Sequence, residues 1–121
     1  MKNDNRVAER YDDMGKIVCP ELCALSGSLE NISRTGLKIH FPVPVTIDLE
    51  AQNEYELRIT LAKKIGVPPL VLVCVPQWVR EVEHNTEIGM KALYSPDQNR
   101  YMAYITELES SEKEDIYPEI I

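Results

Sequence analysis

The sequence predicts an all-β domain, a small antiparallel barrel that carries one helix at its C-terminal end. Three observations predict it: short segments alternate with a period of two along most of the chain, turn signals separate them, and one late stretch changes to helical spacing. With 121 residues, 44% of them hydrophobic, the chain can fill a single core and forms one domain.

Residues 16 to 25, KIVCPELCAL, are expected as a first strand with Pro20 at an edge or bulge, ended by a Ser26-Gly27-Ser28 break. Residues 36 to 41 continue from a polar turn into a half-buried strand, with Leu37, Ile39 and Phe41 on one face and Lys38 and His40 on the other. EYELRITL, residues 54 to 61, repeats the pattern, placing Tyr55, Leu57, Ile59 and Leu61 inward. KKIGVPP, residues 63 to 69, reads as a turn from Gly66 and the Pro68-Pro69 pair. LVLVCVPQWVREVE, residues 70 to 83, is a long apolar strand expected to bend and break near Pro76, and TEIGMKALY, residues 86 to 94, places Ile88, Met90 and Ala92 on one face.

The helix marks its own start, with Ser95 as N-cap, Pro96 at the first helical position and Gln98 completing a capping box. Tyr101, Ile105 and Leu108, with Met102 beside them, form an apolar stripe to lie on the barrel. Residues 110 to 121, SSEKEDIYPEII, read as a charged, loosely ordered tail whose end is unusually apolar at Ile116, Tyr117, Ile120 and Ile121.

Composition excludes several functions. A net charge of −7 argues against sequence-independent binding of DNA or RNA, which rests on Lys and Arg neutralising phosphates. No apolar run approaches the roughly 18 residues of a membrane span, and the charged first residues contain no signal-peptide core, so a soluble cytoplasmic protein is expected. Cys19, Cys23 and Cys74 give neither a disulfide framework nor a four-ligand zinc site and read as buried thiols. His40 and His84 stand alone, so no metal is expected. No nucleophile–base pair, paired-carboxylate pocket or Walker-type loop is present, and the reading is not an enzyme.

Two stretches are harder to explain as packing. In RVAER, residues 6 to 10, Arg6 and Arg10 are four apart and project to the same side, where two guanidinium forks can clamp a phosphate or the O6 and N7 edge of guanine. In NISRTG, residues 31 to 36, Asn31 and Ser33 are expected to share one face of a strand end and meet the polar edges of a base. Gly36 then either takes a positive φ or admits a ligand close to the backbone. Each alone is ordinary: the first as a surface charge pattern, the second as an Asx turn.

Together and in this order they resemble the PilZ domain, a bacterial receptor module for cyclic di-GMP. Arg6 and Arg10 match the family's R-x-x-x-R, and Asn31, Ser33 and Gly36 match its [D/N]-x-S-x-x-G. Residues 75 to 93 resemble its paired late strands, and the likeness extends over about residues 6 to 109. The resemblance implies a six-stranded antiparallel barrel with a C-terminal helix, and cyclic di-GMP as ligand of Arg6, Arg10, Asn31, Ser33 and Gly36 with no cofactor. It divides the chain into a mobile arm at residues 1–13, the barrel and helix at 14–109 and the tail at 110–121. It further implies an arm that folds over the ligand and passes the signal to a protein partner. The alternative is a PilZ-like interaction module that binds no nucleotide.

Overall fold

The computed structural model describes residues 11–12, 15–62 and 66–116. They form strands β1 (Tyr11–Asp12), β2 (Lys16–Cys19), β3 (Cys23–Ile32), β4 (Gly36–Phe41), β5 (Tyr55–Thr60), β6 (Leu70–Val82) and β7 (Asn85–Tyr94), then the helix α1 (Gln98–Ile116). A single 3-10 turn, Leu49–Ala51, interrupts the link from β4 to β5. The strands run β3-β2-β5-β6-β7-β4, and β4 pairs back onto β3, so six antiparallel strands close on themselves and leave no edge among these six. This is the expected six-stranded barrel with one C-terminal helix. The two residues of β1 pair with the last two of β3.

The two-residue alternations become the core. Leu37, Ile39 and Phe41 of β4, Leu57 and Ile59 of β5, and Ile88 of β7 are all fully buried, with Met90 nearly so. From α1, Tyr101, Tyr104, Ile105 and Leu108 join the same cluster. The helix sits over the end of the barrel where β3 and β7 finish. Ser95 caps it by accepting a hydrogen bond from Asp97 N (2.8 Å), and its hydroxyl donates to Val71 O at the start of β6. The Asp97 carboxylate accepts from Val71 N (3.0 Å), so the cap also fastens the helix to the sheet. At the other end, Thr86 Oγ1 accepts from Val45 N (2.9 Å) and donates to Val43 O (2.8 Å), pinning the connection after β4. Among the described residues no helix is long and apolar enough to cross a membrane.

Four expectations are corrected. Residues 16 to 25 are not one strand: Pro20, Glu21 and Leu22 form a turn closed by Leu22 N donating to Cys19 O (2.9 Å), and Cys23 opens β3. The Ser26-Gly27-Ser28 stretch is not a break but lies within β3, because a side chain at Gly27 would run into the Phe41 ring and His40 O. The strand at Pro76 is bent but unbroken. Its register against β7 shifts between Pro76 and Trp78, so the residue without an N–H lies beside a bulge. The helix also continues to Ile116, through the first half of the stretch expected as a loose tail.

Candidate functional site

The NISRTG stretch is the hairpin that joins β3 to β4, the two strands that close the barrel. Just before it, β3 carries a bulge: Leu29 pairs with Ile39, but Asn31 pairs with Lys38, leaving Glu30 as the extra residue. The bulge lets both Leu29 and Ile32 point inward and keeps Asn31 on the outer side with Lys38. Glu30 then reaches Lys38 Nζ (3.3 Å).

Asn31 and Ser33 do not share a face. Ser33 lies past the end of β3, is buried, and turns its hydroxyl into the loop, where Oγ accepts from Thr35 N (3.2 Å) and Gly36 N (3.3 Å). Its role is to shape the turn and hold two backbone donors in place. Gly36 has no positive φ. A side chain there would collide with the carbonyl oxygen of Met90, so the glycine lets β4 and β7 approach at this end. Arg6 and Arg10 lie outside the described residues. Tyr11 and Asp12, which follow Arg10 in sequence, pair with Ile32 and Asn31, so the chain beyond the arginines runs alongside the motif.

The register builds a transverse row in which Asn31, Lys38, Gly89 and Trp78 follow one another on the outer face, with Asp12 next to Asn31 in the backbone register. The bulge at Gln77 places Trp78 outside, 38% exposed, and its indole lies across Gly89, where any side chain would overlap the ring. The result is a cleft of ≈ 290 Å³ lined by Thr35, Gly36, Gln77, Trp78, Gly89 and Lys91. It offers an aromatic face, an amide and a cation beside the motif turn. On the other side of Thr35 and Lys91 lies a second cleft, of ≈ 210 Å³, bounded by Arg34, Tyr94 and Tyr101.

Gln77, Trp78 and Lys91 belong to neither sequence motif. Gly89 facing Trp78 across the hairpin, with Pro76 marking a bulge, is the signal that locates them.

Charges on this surface are largely matched. Lys38 sits near Glu30 and Glu87 (3.8 Å), and Glu87 also accepts from Arg80 Nε (3.1 Å). The Arg80 hydrogen bond holds the Glu87 carboxyl below its ordinary range, with Lys38 adding to the effect. Arg34, inside the motif, is bound by both Glu109 oxygens (2.9 and 3.0 Å). Tyr101 donates its hydroxyl to Ser33 O (2.6 Å), and burial pushes its pKa far above the ordinary phenol value, keeping it a donor. The motif turn is therefore bonded directly to α1.

No family model and no curated protein matches the sequence. Among solved structures, the Bacillus subtilis inhibitor of motility (MotI/DgrA) is similar with a TM-score of 0.66 at 14% identity, over 89% of this chain and 53% of that one. The K. pneumonia MrkH–c-di-GMP complex gives a TM-score of 0.66 at 14% identity, over 93% of this chain and 56% of that one. The fold is a PilZ-type barrel. The chain spans about half the length of these neighbours. At such identity the likeness is one of architecture.

Proposed function

We propose that this chain is a receptor for cyclic di-GMP, one that binds rather than catalyses. The observation that carries the reading is the position of the motif. Thr35 and Gly36 of the motif turn line a cleft with an exposed indole, Asn31 lies on the same outer face beyond Lys38, and the segment following Arg6 and Arg10 is paired to the strand end that carries Asn31. A purine can lie on Trp78, its polar edge can meet amide and guanidinium groups, and the phosphates can meet cations. The MrkH structure, a cyclic di-GMP complex on a similar barrel, supports the ligand class.

In this reading the segment ahead of β1, residues 1–10, acts as an arm that orders over the ligand, the barrel and α1 form the receptor body, and the signal passes to a protein partner. Ordering such a segment costs about 2–5 kcal/mol, and each charge-assisted hydrogen bond returns roughly 1.5–3 kcal/mol, so two arginines suffice to offset it. Calorimetric titration tests it. Cyclic di-GMP is expected to bind at micromolar concentration or tighter, with GTP and cyclic di-AMP much weaker, because adenine presents a donor where guanine presents O6. Equal affinity for the two cyclic dinucleotides sinks the reading.

A further inference from the structure

We propose that Lys91 is a phosphate-binding residue of this site, one that neither sequence motif contains. The proposal rests on the cyclic di-GMP reading and extends it to a fixed anion subsite on the barrel itself.

Position is the first argument. Lys91 pairs with Gly36 across β4 and β7, and the next residue donates Ala92 N to Thr35 O (2.9 Å), so the Lys91 backbone is held against the end of the motif turn. Its neighbours Met90 and Ala92 face the core, which sends the lysine side chain outward. It lines both clefts, each time with Thr35. A ligand seated on Trp78 and a group lying towards Arg34 are therefore within reach of the same ammonium.

Charge balance is the second. On this face Arg34 is held by Glu109, Lys38 by Glu30 and Glu87, and Arg80 by Glu87. Lys91 forms no ion pair with any described residue. An arriving phosphodiester must displace a carboxylate from Arg34, Lys38 or Arg80, but nothing of that kind from Lys91. A compact ammonium on a flexible stem suits such a point-charge contact.

The test compares Lys91→Ala, Lys91→Arg and wild-type full-length chains in calorimetric titrations with cyclic di-GMP, over a series of salt concentrations. Lys91→Ala is expected to weaken binding by roughly tens of fold and to flatten the salt dependence, and Lys91→Arg to restore most of the affinity. Thermal midpoints should be unchanged, since the side chain is exposed. Wild-type affinity in Lys91→Ala overturns the subsite and leaves the receptor reading standing. Failure of wild type to bind removes the receptor reading, and the subsite is then judged with inorganic pyrophosphate. A larger NMR shift at Lys91 Cε than at the remote Lys16 supports an anion subsite, and equal shifts overturn it.

Discussion

Phe41 and Arg10 are both singled out by the sequence, and they should fail in opposite ways. Phe41 is fully buried, and its ring fills the space that Gly27 leaves open. Phe41→Ala is expected to lower stability by roughly 3–5 kcal/mol in chemical denaturation. Arg10→Ala should leave the free protein's denaturation midpoint unchanged and weaken cyclic di-GMP binding by tens to thousands of fold, the consequence of leaving one side of a charge pair unmatched. Unfolding by Arg10→Ala, or full binding without it, removes the clamp and favours the interaction-module alternative. Buried acids add a pH dependence. Burial raises the Cys74 thiol to about 12 from an ordinary value near 9. Above that ordinary value the unfolded thiol loses its proton while the folded one keeps it, so stability is intact below pH about 9 and falls as pH rises towards about 12. Tyr101, raised by the same cause, acts in the same direction. Denaturation midpoints measured across this range should decline, and less steeply in Cys74→Ala.

The strands show where sequence suffices and where it does not. Alternation in LKIHF and EYELRITL was enough to assign every inward side chain of β4 and β5, because each of those strands keeps an unbroken period of two. The period fails at the bulges, at Glu30 and at Gln77, and those two irregularities place Asn31 and Trp78 on the outer face. Glycines misled for a related reason. Gly27 and Gly36 look like turn residues, yet each answers to a neighbour's atoms supplied by a distant strand. The hairpin between β6 and β7 leads to a prediction of its own. Glu83 and His84 both adopt positive φ, 52° and 72°, as a two-residue type I′ turn demands. Glu83→Asn with His84→Gly should therefore stabilise the domain by roughly 0.5–1 kcal/mol, read as a higher thermal midpoint. The link from the motif turn to α1 behaves differently. Arg34 and Glu109 are both partly exposed, so Glu109→Gln should change global stability by less than about 1 kcal/mol. Faster amide exchange at Thr35 and Gly36 is the expected local sign, and unchanged exchange there rules out the tether.

For the molecule as a whole, the acidic balance and the proposed ligand pull against each other. A chain of net charge −7 repels a dianion at long range, so binding has to come from a few cations placed at short range. Low salt should consequently help less than the local arginines and Lys91 alone would suggest, and a log–log salt plot will show the difference. Residues 1–10, ahead of β1, should gain amide-exchange protection when cyclic di-GMP saturates the protein, since their composition gives them little to bury alone. Unaltered exchange at saturation counts against the arm even where binding is confirmed. The bulge at Gln77 has one more consequence, and it is optical. Trp78 is the chain's single tryptophan, and it stands half in water beside the motif turn. The protein thus carries its own fluorophore at the cleft, with no other indole to dilute the signal. A purine stacked on that ring should quench the emission and shift it to shorter wavelength as water leaves. Gly89→Ala, by lifting the ring off its bed, should alter the spectrum before any ligand is added.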